Sequence, residues 1–339
     1  MHPSRLLSYL LPFLSPVLAL PVPSIPPGTL PVHLIHEFPL QTWIENLAVR
    51  STNGHVLTTI LSAPEIYSIN PFVPTPPTLI HSFSSATGVL GIAELLPDIF
   101  YVALGNYTIT TDVSVAGSFG IWEVDLTHYP RHGPQVRQIV QIPEALQING
   151  ICALDSKAGL ILAADANLFA VWRVNVKTGY ADIAIQDPLM ISTSETPGIN
   201  GLHVRVEKGK KVLYYTNSET GNFIRQPITA DGSPVGPSAI VLEGLEPDDF
   251  TFNPAGDAYI AENTRDQISV IRAGSGVAKL VSNVSDLAEL KGPTSCAFGK
   301  TKWDKDSLYV STCGGIPAYK SGNFTVGGSL LRIDVGRRG

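Results

Sequence analysis

Apolar and polar residues alternate along this chain in runs of about four to eight, broken by Gly, Pro, Asn and Asp, a pattern of half-buried β-strands. One run, Trp43-Ile44-Glu45-Asn46-Leu47-Ala48-Val49-Arg50, has five further variants downstream. Aligned on the place of Glu45, the copies carry Glu45, Leu90, Asn149, Asn200, Asp248 and Thr294, at separations of 45, 59, 51, 48 and 46 residues. A period of that size, with several short strands in each unit, predicts the blades of a β-propeller.

Four strands can be drawn for each of blades one to five, and three for blade six. The missing outer strand is supplied by the alternating segment 32–38, which predicts a ring closed by its own N-terminus, so that the first and last blades leave no open edge. No segment has a helical period of useful length. The expected fold is therefore all-β, a six-bladed propeller over 32–339 as one domain, since each blade needs its neighbours to bury its faces. Three long irregular segments, 105–119, 187–198 and 313–328, fall by this topology on the rim where the inner strands begin.

Composition adds compartment and partners. Charged residues are 15% of the chain and the net charge is −6, with no basic stripe, which argues against nucleic acid. Residues 1–19 read as a secretory signal, with His2 and Arg5 before a Leu-rich run interrupted by Pro12 and Pro16, and Val17-Leu18-Ala19 as the cleavage site. Residues 20–31 follow as an extended Pro-rich N-terminus. Sequons at Asn106, Asn283 and Asn323 agree with passage through the secretory route, to secretion or a secretory lumen, with no membrane partner for the mature form. Of the three cysteines, Cys152, Cys296 and Cys313, the last two fall on neighbouring strands of blade six and could pair.

The repeat column sits at inner-strand starts, facing the central channel. Two carboxylates and two amides converging there, as Glu45, Asp248, Asn149 and Asn200, are the hard oxygen donors that Ca²⁺ or Mg²⁺ prefers. They could equally satisfy one another through channel water. Asp249 is expected to face a neighbouring blade or cap a turn, and the second-strand ends Asp165, Asn217, Glu262 and Asn263 to join the same rim neighbourhood, most of them as turn formers. Trp43, Leu90, Tyr107, Met190 and Tyr319 are the apolar rim candidates for a substrate-binding wall. Trp122 and Trp172 are expected between blades. No nucleophile elbow, zinc helix, P-loop or dinucleotide fingerprint occurs in a supporting context.

The run 43–50, with Ile199-Asn200-Gly201-Leu202, Leu213-Tyr214-Tyr215-Thr216-Asn217-Ser218, Pro247-Asp248-Asp249-Phe250 and Pro293-Thr294-Ser295-Cys296-Ala297-Phe298-Gly299, resembles the senescence-marker-protein and gluconolactonase family, in its secreted fungal branch. The resemblance implies a divalent cation on Glu45, Asn200 and Asp248, with Asn149 as a fourth ligand or a substrate contact. Two motif steps depart from that family: its Glu-Gly-Pro is Glu45-Asn46-Leu47 here, and its Pro-Asp-Gly is Pro247-Asp248-Asp249. The fungal branch also resembles hetero-Diels–Alderases that join a tropolone-derived quinone methide, a polyketide, to the sesquiterpene humulene. That likeness implies a reaction that requires no cofactor, with the apolar rim residues as walls and Asn149, Asn200, His203 and Thr294 as catalytic polar orienters. A metal-dependent lactonohydrolase and a non-enzymatic binding propeller are the alternatives.

Overall fold

The computed structural model describes residues 30–273, 278–283 and 290–335. The expected signal segment 1–19 and nearly all of the Pro-rich segment lie outside the described residues. Six four-stranded antiparallel sheets are arranged as the blades of a propeller. In order from the channel outward, blade one uses Ile44–Val49, Val56–Ile60, Glu65–Ile69 and Thr78–Ser82. Blade two uses Gly88–Leu96, Ile99–Gly105, Gly120–Asp125 and Gln135–Gln141. Blade three uses Ile148–Asp155, Leu160–Asp165, Ala170–Asn175 and Tyr180–Gln186. Blade four uses Ile199–Glu207, Lys210–Asn217, Asn222–Ile228 and Ala239–Leu242. Blade five uses Pro247–Phe252, Ala258–Glu262, Gln267–Ile271 and Ala278–Asn283.

Blade six consists of Pro293–Phe298, Ser307–Thr312 and Ser329–Asp334, completed on its outside by Val32–Glu37. The closing strand pairs antiparallel with Ser329–Asp334, Val32 opposite Ile333 and Glu37 opposite Ser329. The ring is thus sealed by hydrogen bonds between the two ends of the chain, as the strand count requires.

The core lies between blades, where the faces of adjacent sheets meet. Ile121, Ile151, Ile161 and Trp172 belong to one such layer, and Phe83, Val89, Phe100 and Val124 to another. Side-chain hydroxyls add directional ties. Thr59 Oγ1 donates to Leu90 O at 2.6 Å, Thr216 Oγ1 to Asp248 O at 2.6 Å and Thr294 Oγ1 to Ile44 O at 2.8 Å, each joining a blade to the inner strand of the next. Thr294 is fully buried in this role, so the expectation that it orients a ligand is not met. Its position in the repeat column is correct, but its side chain turns between blades six and one.

Met190 is also displaced from its expected place. It ends the 3-10 turn Pro188–Met190, capped by Asp187, and is fully buried with Leu213 and Tyr215 rather than lining the rim. The other long segments contain a hairpin of Tyr107–Thr108 with Val113–Ser114, and a six-residue helix, Ile316–Ser321. The expected pairing of Cys296 with Cys313 is not made. Both thiols are free and buried, with Cys296 Sγ donating to Tyr259 O at 3.3 Å.

Adjacent inner strands approach closely where the repeat places Gly91, Gly150 and Gly201. A Cβ on Gly91 would lie 2.3 Å from Asn149 O and 2.8 Å from Ile151 N, against backbone that has no freedom to yield. Gly91→Ala should therefore destabilise the fold by roughly 2–3 kcal/mol, read as a lower urea midpoint. A loss below about 0.5 kcal/mol, the scatter of neutral substitutions, would mean that the blades can spread.

Candidate active site at the channel mouth

Every inner strand carries a register shift at the repeat column: Ile44/Asn46, Val89/Ile92, Ile148/Ile151, Ile199/Leu202, Pro247/Phe250 and Pro293/Ser295. A bulge places an extra residue in one strand and re-aims its side chain. Repeated six times around the ring, it turns consecutive residues toward the axis at one end of the channel.

Four of the expected residues form a single buried layer there. Glu45 is 6% exposed, Asn149 6%, Asn200 5% and Asp248 5%. Glu45 Oε2 accepts from the indole Nε1 of Trp43 at 2.5 Å, and its carboxyl also receives a hydrogen bond from Asn149. Asp248 Oδ2 accepts from Asn263 Nδ2 at 3.0 Å, and Asn200 bonds its carboxyl as well. Asn200 Nδ2 further donates to Ser218 Oγ at 3.0 Å, which in turn donates to Pro247 O at 2.8 Å.

Burial dominates the electrostatics of this layer. It pushes the Glu45 carboxyl up to about 7, opposed by the Trp43 and Asn149 hydrogen bonds and reinforced by the Asp249 charge. Asp248 is raised by burial first and then by the nearby Glu45 and Asp249 charges. Burial thus favours the neutral, proton-donating form of these carboxyls.

Aromatic and aliphatic walls adjoin these groups. Leu90 is buried in the layer that Trp43 and Tyr107 pack against. Tyr107 is held by Thr87, whose Oγ1 accepts from Tyr107 N at 2.8 Å, and its hydroxyl donates to Asp112. The helix Ile316–Ser321 brings Tyr319 against Trp43, with ring centroids 4.7 Å apart, and Phe324 packs edge-on to Tyr319 at 4.8 Å.

One residue further along the inner strands, the channel is crossed by a polar bridge. Asn46 Nδ2 donates to Asp249 Oδ2 at 2.8 Å, and Ser295 Oγ lies 3.2 Å from that same oxygen and 3.0 Å from Asn46 Oδ1. Asp249 Oδ1 accepts from Phe250 N at 2.8 Å, so this residue both spans to other blades and caps its own strand. The bridge is a floor beneath the acid layer. His203 belongs to the floor and not to the mouth: its Nε2 is 3.5 Å from Asp249 Oδ1, and its ring meets Phe250 edge-on at 4.9 Å. The expected grouping of His203 with Asn149 and Asn200 as orienters is accordingly corrected.

One site residue lacked a sequence assignment to the mouth. Ser218 follows the last residue of a second strand, after Asn217, as Asn263, which was expected in this neighbourhood, follows Glu262. This second repeat column was the available signal, and their neighbours Asp165, Asn217 and Glu262 do anchor loops. Asp165 accepts from Gln147 N at 2.9 Å and Leu168 N at 3.0 Å. Of the sequon residues, Asn323 is exposed and Asn106 half-buried, while the Asn283 side chain lies outside the described residues.

The family resemblance implies a divalent cation, and the donor set fits one. Two buried acids share the layer, Glu45 raising Asp248, with no cationic side chain among the groups acting on either, and the amide groups of Asn149 and Asn200 supply further oxygens. Among the described residues no three His, Cys, Asp or Glu gather as a cluster, so a cation here would rest on two carboxylates and on amides.

No protein-family model matches the chain. It is 26% identical to a Phoma sp. protein named "Putative hetero-Diels-Alderase", with 94% of each chain covered. It is also 26% identical to the Sarocladium schorii protein named "Putative hetero-Diels-Alderase asR5", over 85% of this chain and 79% of that one. Among solved structures, the calcium-binding protein regucalcin from Agrobacterium tumefaciens superposes with a TM-score of 0.62 at 12% identity, covering 91% of this chain and 96% of that one. The gluconolactonase XC5397 from Xanthomonas campestris superposes with a TM-score of 0.59 at 11% identity, covering 90% and 89%. The chain is thus a six-bladed propeller similar in architecture to regucalcin and gluconolactonase and, along its sequence, to proteins named as hetero-Diels–Alderases.

Proposed function

We propose that this chain is a cycloaddition enzyme of secondary metabolism, joining a tropolone-derived quinone methide to a humulene-type alkene at the channel mouth. The observation that carries the reading is the pairing of a buried carboxyl raised to about 7, Glu45, with a wall of Trp43, Leu90, Tyr107 and Tyr319. The similarity to named hetero-Diels–Alderases along most of the chain supports it.

In a hetero-Diels–Alder reaction one C–C and one C–O bond form together, two π bonds are consumed, and nothing leaves. Negative charge grows on the heterodiene oxygen in an asynchronous transition state. A protonated Glu45 donates to that oxygen and Trp43 holds the carboxyl in place, while Asn149 and Asn200 orient the polar partner. Leu90 and the aromatic rings hold the alkene face to face with the heterodiene and keep water out.

The test is conversion of a generated quinone methide with humulene, followed by chiral chromatography. Single-isomer adduct that persists in EDTA is expected. A racemic product at the uncatalysed rate would remove the proposal.

The carboxylate pair without a cationic side chain favours one second reading, a lactone hydrolase. Glu45, Asp248, Asn200 and Asn149 would hold a divalent cation, which when bound polarises a lactone carbonyl and activates water. Calcium-dependent lactone hydrolysis that Asp248→Ala abolishes would establish it.

A further inference from the structure

Five buried side-chain polar atoms among the described residues have no hydrogen-bond partner: Thr58 Oγ1, Trp122 Nε1, Arg225 Nε, Arg332 Nε and Tyr319 Oη. The first two lie within the blades, and the two guanidinium groups are ion-paired to Glu207 and Asp334. Tyr319 Oη is the one at the channel mouth. A buried hydroxyl left unpaired is destabilising, and the ring needs no hydroxyl for its packing on Trp43 and Phe324. Phenylalanine would make the same ring contacts without the cost.

The hydroxyl belongs to the same small volume as the acid layer, because its ring packs 4.7 Å from that of Trp43, whose indole N–H donates to Glu45 Oε2 at 2.5 Å. Glu45 meanwhile takes its hydrogen bonds from Trp43 and Asn149 and offers none to Tyr319. The phenol thus borders the acid layer with no hydrogen-bond acceptor among the described residues. An acceptor must come from outside.

The geometry points to Tyr319 as a substrate-binding donor, whose hydroxyl is satisfied by the carbonyl oxygen of a planar conjugated ketone bound at the mouth. The inference rests on the proposed function for the class of ligand. It differs in giving Tyr319 a polar role beside its place in the wall. The ligand oxygen accepts from Tyr319 Oη, and the flat ring of the ligand meets the aromatic walls of Trp43 and Phe324.

The experiment uses tropolone as the probe, with the full chain and its Tyr319→Phe variant, reading calorimetric affinity and thermal midpoint together. The expected result is affinity weakened about tenfold in Tyr319→Phe, the effect of one lost hydrogen bond, with a thermal midpoint equal to or above wild type. Removing an unsatisfied hydroxyl does not destabilise, whereas removing one that bonds an ordered water or a protein group does. Unchanged affinity, a lowered midpoint, or a wild type that takes no tropolone would each overturn the inference. Cycloadduct formation separates the two readings. Tyr319-dependent tropolone binding without any adduct leaves this inference standing and removes the cycloaddition. Full rate and stereocontrol in Tyr319→Phe leaves the cycloaddition standing and removes Tyr319 as a donor.

Discussion

Glu45→Gln is expected to melt several degrees above wild type at pH 8 and, at the same time, to lose the pH dependence of cycloadduct formation. Glu45 ionises near 4.5 in an unfolded chain and near 7 in the folded one. Between those values the folded protein keeps a proton that the unfolded chain releases. Stability present at low pH is therefore lost as pH rises from about 4.5 to 7, by roughly 3 kcal/mol in total. The amide removes that ionisation and relieves Asp248 of a like charge, so the thermal midpoint should change less with pH across this window.

The substitution should act on activity in the opposite direction to its effect on stability. Wild-type rate should fall as pH passes 7 and the donor ionises, whereas Glu45→Gln should be slower but nearly level, and Glu45→Ala slower by about 100-fold, the usual effect of losing one transition-state donor. Melting curves and initial rates from pH 4.5 to 8.5 check both halves. A wild-type stability that climbs through this window would show that Glu45 is ionised and partnered, most simply by a cation.

Asp249→Ala is expected to do the reverse to stability, although its carboxylate adjoins the same channel. Its two oxygens accept from Asn46 Nδ2, Phe250 N and Ser295 Oγ, and they face His203 Nε2. Truncation strands the Asn46 amide and the Phe250 N–H in a buried layer and opens the floor of the site. Orphaned buried donors cost about 1–3 kcal/mol each, so a loss of about 3–5 kcal/mol should appear as a lower urea midpoint. Asp249→Asn keeps the volume but has one acceptor oxygen where the carboxylate has two, and should fall between. A change within about 0.5 kcal/mol for the alanine variant, as at an unconstrained surface site, would mean that the bridge does not form. The contrast with Glu45 follows from partners: Asp249 is surrounded by donors from three blades, whereas Glu45 shares its layer with another acid.

Much of this arrangement was legible along the chain because the blade is a local unit. Alternation set the strands, the recurring run set their number, and the spare strand 32–38 set the closure. The acid layer of Glu45, Asn149, Asn200 and Asp248 was legible for the same reason, since one bulge at one place in every inner strand aims each residue alike.

Tertiary structure alone decided the remainder. Thr294 occupies the same column, yet its hydroxyl finds Ile44 O across the ring closure and turns away from the channel. The floor joins Asn46, Asp249 and Ser295, from the first, fifth and sixth blades, and claims His203 for itself. Tyr319 reaches Trp43 from the far end of the chain through a short helix that has no repeat counterpart. A repeat carries strand period and side-chain direction within one blade, so sequence by itself determined the scaffold and the layer that the bulges build. Which polar groups meet across the axis depends on blades distant in sequence arriving within hydrogen-bond reach, and only the closed ring brings them there.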